Sequence, residues 1–299
     1  MLFNLGNSCR TIKRISSEGC EIKFLKNCIL VVNHKLIQMK KILLSVLFLC
    51  SGIANGQYAS TIFVTLNDGM EQAYLDIEML WQAYHEETVK QGLKSGWSVW
   101  KIDPAGYDDK IEASRTPDYL IIESYPTMEA MEKQNASYTT EGFEAIVNTI
   151  KRKFRGKISS RKIDRMLAKD VNKERRTYVH QMLAQTPFTG GDLKPGEKMV
   201  LAPMQQLKDD YEQYETAFYQ KVFANNVMKG NHRWWAFTKI IDRSENAINN
   251  TTHAAWNIGI EGKSMDMPQD FASQKIFEIT SEARKMYNPI TLELVYTVQ

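Results

Sequence analysis

One unit occurs twice in this chain, 137 residues apart. Tyr74, Glu78, Trp81, Trp97 and Tyr119 return at that single offset as Tyr211, Glu215, Phe218, Trp234 and Trp256. An internal repeat constrains a fold more than any local pattern, because each copy must be a supersecondary unit able to pack on the next. It predicts two halves with the same order of elements.

Ahead of the repeat lies an export pattern. Met39-Lys40-Lys41 is basic, Ile42 to Cys50 is apolar except for Ser45, and small residues follow up to Gly56. A basic start, a short apolar core and small residues at a cut define a secretory signal peptide. The apolar core is too short to span a bilayer, which takes about 20 residues. Ala54 and Gly56 suit the cut, so the mature chain is expected to begin at Gln57, periplasmic or secreted, with no stable membrane anchor. Translation is then expected to start at Met39, with 1–38 an over-long extension.

Removing 1–56 changes what composition implies. Cys9, Cys20, Cys28 and Cys50 all precede the cut, so the mature chain has no disulfide, thiolate nucleophile or cysteine-zinc site. The 38 Lys and Arg lose eight and the 35 Asp and Glu lose two, leaving 30 basic against 33 acidic residues. The net charge turns from +3 to −3, which gives no ground for nucleic-acid binding.

The mature part reads as two β-α-β-β-α-β units. Ser60 to Leu66 is β-branched and reads as a strand. Asp68 is placed to cap the first helix, with Glu71 in the capping-box position. Met70, Tyr74, Ile77, Trp81 and Tyr84 share one helical face, and Gly92 and Gly96 mark the end. Strands follow at Trp97–Ile102 and Tyr119–Tyr125, and a helix begins at Pro126-Thr127. Extra helices are expected between Thr139 and Lys173, then a closing strand at Thr177–Ala184. The second copy gives strands at Lys198–Ala202, Trp234–Ile241, Ala255–Ile260 and Thr291–Val298. Leu207, Tyr211, Tyr214 and Phe218 form its first helical face, and Phe271–Tyr287 its second helix. The expected domains are 57–186 and 187–299. The run Lys151, Arg152, Lys153, Arg155, Lys157, Arg161, Lys162 and Arg165 faces one acid, Asp164; it reads as a solvated helix face, with a polyanion site as the alternative.

With this order, and with Gly96-Trp97-Ser98-Val99-Trp100 and Asp118-Tyr119-Leu120-Ile121-Ile122 after a long helix at 72–93, the chain resembles the dimeric α/β-barrel superfamily. It is similar above all to exported proteins of Bacteroidota-type bacteria. The resemblance implies an α+β fold in which tandem ferredoxin-like units close one barrel within one chain, as monomer or homodimer. Haem-degrading members use an Asn, a Trp and a His on the second helix. Here Asn67, Trp81 and His85 are present, but Trp81 and His85 lie on the first helix, so that triad is not carried over.

The functional expectation is a small apolar or aromatic ligand inside an aromatic-lined barrel cavity. Trp97, Trp100, Tyr119, Trp234 and Trp256 are its expected walls. Glu78, Glu215 and His85 are the candidate catalytic groups, each with an ordinary surface or boundary role as the alternative. His232 and His253 begin paired strands and are the candidate metal pair. No cofactor is expected; haem enters only through the resemblance. The competing functions are a cofactor-independent or haem-using oxygenase and a structural protein with a solid interior. No phosphate loop, G-x-S-x-G elbow or HExxH is present.

Overall fold

The computed structural model describes residues 57–106 and 116–299. The signal segment, the extension before it and all four cysteines lie outside the described residues.

The first half runs β1 (Tyr58–Leu66), α1 (Glu71–Lys90), β2 (Gly96–Ile102), β3 (Tyr119–Tyr125), three helices and β4 (Asn172–Gln185). The helices are α2 (Met128–Ala136), α3 (Thr140–Lys153) and α4 (Ser160–Leu167). The second half runs β5 (Lys198–Gln206), α5 (Tyr211–Tyr214), a π-helical turn (Glu215–Tyr219) and α6 (Gln220–Met228). Then come β6 (His232–Arg243), β7 (His253–Gly259), α7 (Phe271–Ala283), short β8 (Arg284–Met286) and β9 (Ile290–Val298). The extra helices expected between Thr139 and Lys173 are α3 and α4. None of the described helices is long and apolar enough to cross a membrane.

The strands form a ring. Neighbours run β7-β6-β4-β1-β3-β2-β9-β5, and β5 pairs back onto β7. All these ladders are antiparallel. Within the first half the order is β4-β1-β3-β2, and within the second it is β9-β5-β7-β6. The halves join where β2 meets β9 and β4 meets β6. One chain therefore closes an eight-stranded barrel, and β8 pairs with the end of β5 outside the ring.

Side chains alternate across each strand, so the ring has an inner and an outer apolar layer. The inner layer takes Phe63, Trp100, Leu120, Tyr178, Leu201, Ala236, Trp256 and Leu292 among others. Eight strands enclose an interior that side chains can fill or that can hold one small ligand, and here side chains take most of it. A space of about 50 Å³ remains at one end, beside His180, Ile248 and Trp256. Drug-sized ligands need several hundred cubic ångströms. The expected aromatic-lined barrel cavity is therefore absent among the described residues: Trp100 and Trp256 use the interior themselves.

The outer layers lie under the helices. Val64, Tyr74, Trp97, Val99, Tyr119 and Ile121 pack between α1 and the first half's sheet. Met204, Tyr211, Trp235, Phe237 and Ala283 do so in the second half. Here the single offset of 137 fails. Trp97 and Tyr119 face outward, but Trp234 and Trp256 face the interior. Register explains the change: Trp97 pairs with Glu123 and Trp235 pairs with Asn257, so Trp235 holds the place of Trp97. A slip of one residue on a strand turns every side chain to the other face.

Two local expectations also change. Helix α1 starts at Glu71, with Met70 at its cap and no side-chain cap bond. Glu71 instead accepts hydrogen bonds from Tyr119 Oη and Lys101 Nζ, both at 2.8 Å. A tertiary partner has taken the carboxylate that the capping box required. At the other end, Gly92 turns the chain at φ +72° as expected.

Trp100 is 1% exposed in the filled interior. Trp100→Ala is expected to lower unfolding free energy by about 3–5 kcal/mol, read by urea denaturation. A loss below about 1 kcal/mol would show that the interior is not tightly packed.

Candidate functional site

The larger space lies outside the barrel. A pocket of about 540 Å³ sits between α1 and the outward face of β1, β3 and β4, against Trp97 of β2. Helix α1 supplies Glu78, Trp81 and His85, a spacing of three and then four residues that keeps them on one stripe. The sheet supplies Trp97, Glu123 and Arg175.

Glu78 and His85 are buried, at 3% and 2% exposure, so neither is a surface residue. Burial pushes the Glu78 carboxyl up to about 7; Arg175 and the Tyr74 hydroxyl pull against it, and Glu123 adds to the rise. Glu78 forms no ion pair among those of the described residues. His85 stacks on Trp97 at 4.8 Å and 18°, with Trp81 at 6.0 Å on the ring. Burial, then the Lys94 charge, takes the imidazole down to about 3. His85 is therefore neutral at physiological pH.

A polar cluster lies against this end of the pocket. Lys94 Nζ is 2.8 Å from Glu123 Oε1 and 3.3 Å from His85 Nδ1. Tyr125 Oη donates to Glu123 Oε2 at 2.5 Å, and Lys94 lies 5.4 Å over the Tyr125 ring. Burial alone would raise the Glu123 carboxyl; Lys94, His85 and the two donated hydrogen bonds outweigh it and hold it at about 2. Lys94 arrives through the Gly92 turn, where its N–H and that of Leu93 reach back to Thr88 O. The sequence reading missed Lys94, Glu123 and Arg175. Glu123 left one signal, a lone charge in the apolar run Tyr119–Tyr125. Lys94, in a polar turn, left none.

The second half treats its matching carboxylate differently. Glu215 is 1% exposed and ion-pairs with Arg284. The Arg284 guanidinium lies 5.0 Å from the Tyr219 ring centre and 5.9 Å from that of Tyr211. Phe218, Tyr219 and Phe277 pack against one another beside it. Glu78 and Glu215 thus sit in separate places, one at a pocket and one in a filled ion pair.

The five expected aromatic walls are divided. Trp97 borders the pocket, Tyr119 packs under α1 on Tyr74 at 4.7 Å, and Trp100, Trp234 and Trp256 belong to the interior. His232 and His253 do not meet. Their strands are antiparallel, so the two strand starts fall at opposite ends: His232 pairs with Gly259, and His253 with Lys239. Seven residues of strand separate them by roughly 20 Å. No group of three or more His, Cys, Asp or Glu among the described residues could hold a metal ion. Along the basic insert, Lys151 pairs with Asp164, and Lys153 lies near Glu86 and Glu87. Arg152, Arg155, Lys157, Arg161, Lys162 and Arg165 are exposed, as the solvated reading expects.

His85 is not placed to hold a haem iron. An iron-ligating histidine donates its other ring N–H to an acceptor. The other nitrogen of His85 faces the Lys94 ammonium, which has only donors. His85 does not fit that role.

No protein-family model and no curated protein matches the chain. Several solved structures are similar in outline. A proposed monooxygenase from Lactobacillus acidophilus is 11% identical, covering 81% of this chain and 95% of its own, with a TM-score of 0.48. An anthrone oxidase-like protein is 13% identical over 82% and 94%, with a TM-score of 0.45. A heme-binding protein from Thermus thermophilus is 8% identical over 81% and 92%, with a TM-score of 0.39. The barrel described above rests on this chain's own strand pairing.

Two outcomes follow from the two carboxylates. Glu215→Ala leaves Arg284 without its partner and is expected to cost about 3–5 kcal/mol of stability, measured by denaturation. Glu78 holds its proton more tightly folded than unfolded, up to about 7 against an ordinary 4.5. Its stabilising contribution is full below about 4.5 and is lost as pH rises through about 7. Relative to Glu78→Gln, the wild type is expected to lose roughly 3 kcal/mol across that window. Parallel pH–stability curves would contradict the burial of this group.

Proposed function

We propose that this is an exported protein that binds a small, flat aromatic molecule between α1 and the first half's sheet. The observation that carries this is the 540 Å³ pocket, lined by Trp81, Trp97 and the buried Glu78. Apolar walls with a few converging polar groups and a shifted acid are what a ligand site requires. Two features support the wider reading. Each half shows the same strand order, which fits two ferredoxin-like units descended from one and fused into a barrel of the dimeric α/β type. Residues 39–56 have the layout of a cleaved signal, and the secreted product is expected to begin at Gln57 by intact mass.

One enzymatic reading has a specific observation behind it. A carboxyl near 7 is poised to take a proton from a ligand hydroxyl at physiological pH. That is the role a base plays in a cofactor-independent oxygenase. Glu78→Gln would then abolish turnover of a bound phenol while leaving it bound.

The pocket is tested with 2-naphthol, followed by tryptophan fluorescence. Trp81 is only half-buried, so Trp81→Ala is expected to fold and to bind about tenfold more weakly. Equal affinity in wild type and variant would remove the site from this pocket.

A further inference from the structure

The geometry of His85 has a consequence for what the pocket recognises. Lys94 Nζ stands 3.3 Å from His85 Nδ1 and 2.8 Å from Glu123 Oε1, with its side chain fully buried. An ammonium only donates. Nδ1 therefore accepts, and the ring proton of the neutral imidazole sits on Nε2. The nearest carboxylate oxygen to Nε2 is Glu123 Oε1 at 3.7 Å, which is too long for a hydrogen bond. That oxygen already takes the Lys94 proton. His85 and Glu123 both border the pocket, so a fixed N–H is left there with no acceptor among the described residues.

Seven residues earlier on α1 stands Glu78, about 10 Å along the helix axis. Trp81 lies between them on the same stripe, and Trp97 backs His85. The pocket thus has a donor at one end, an ionisable carboxyl at the other and an aromatic wall between.

We propose that His85 is a specificity-determining hydrogen-bond donor, fixed by Lys94 as positioning residue, and that the ligand is an elongated aromatic carrying a neutral carbonyl acceptor at the His85 end and a hydroxyl or amine donor at the Glu78 end. This rests on the pocket reading above. A carbonyl suits the His85 end because a neutral ring N–H donates one hydrogen bond and needs one acceptor. The arrangement also explains why His85 does not fit as an iron ligand: the nitrogen that would bind iron carries the proton.

The tautomer is read directly by long-range nitrogen–proton correlation NMR on histidine-labelled protein. The expected pattern is Nε2–H for His85, unchanged from about pH 5 to about pH 8. An Nδ1–H tautomer, or a charged ring at neutral pH, overturns the proposal. Lys94→Gln keeps an amide donor and is expected to keep the tautomer, whereas Lys94→Met is expected to release it. Retention of Nε2–H as the single tautomer in Lys94→Met, with the fold intact, counts against Lys94 as the positioning residue.

Ligand chemistry is read with 6-acetyl-2-naphthol, 2-acetylnaphthalene and 2-naphthol. His85→Phe retains a ring on Trp97. It is expected to weaken both acetyl compounds about tenfold and to leave 2-naphthol within about twofold. Equal loss for all three, or none, overturns the donor role. If none of the three binds the wild type, the pocket reading fails and the ligand half of this proposal falls with it. The tautomer result then stands by itself, so the two failures are distinguishable.

Discussion

Closure of the barrel is the constraint on which the rest of the molecule depends. When β5 pairs back onto β7, the ring has no free edge. Its interior becomes a fixed volume that side chains must fill. Phe63, Trp100 and Trp256 fill it together with smaller aliphatic residues. Space for a ligand of two rings is therefore excluded from the inside. It is found instead between α1 and the outer face of the sheet, where a helix standing on twisted strands need not be sealed along its whole length.

The two halves answer one electrostatic problem in two ways. Each first helix buries a glutamate four residues after a buried tyrosine, Glu78 after Tyr74 and Glu215 after Tyr211. A buried carboxylate is costly unless it is paired or protonated. Glu215 is paired: Arg284 reaches it from β8, with two tyrosine rings beside the guanidinium. Glu78 forms no ion pair among the described residues; Arg175 pulls its carboxyl down, but burial outweighs that and raises it to about 7. Nearby, the charge that does ionise in the first half is Glu123, kept so by Lys94. Its counterpart in register, Asn257, is uncharged. One half is thus completed by its own side chains, and the other has polar groups left over at a pocket.

Much of the element order was legible in the sequence, and the reasons are local. The β-branched run before Leu66, the helix start at Pro126-Thr127 and the Gly92 turn each act within a few residues, and each is where it was expected. The first-helix pair Glu78 and Glu215 was visible because a helix repeats every few residues and tolerates a constant offset. The strand pairs were not. Trp97 with Trp234, and Tyr119 with Trp256, look equivalent in sequence but occupy opposite faces. His232 and His253 looked adjacent only while strand direction was unknown. Lys94 was invisible, since a lysine between Leu93 and Ser95 ordinarily lies in solvent.

By itself the sequence determined the α+β class, most of the order of strands and helices and which helical stripe is buried. These follow from propensity, periodicity and caps, which are properties of neighbouring residues. Tertiary structure alone decided which strands meet, that the interior would be solid and that Lys94, His85 and Glu123 would converge beside Glu78. Those depend on register and ring closure between distant segments. On a strand, one residue of slip reverses every side chain, so a pattern read along the chain could not say which face would hold the site.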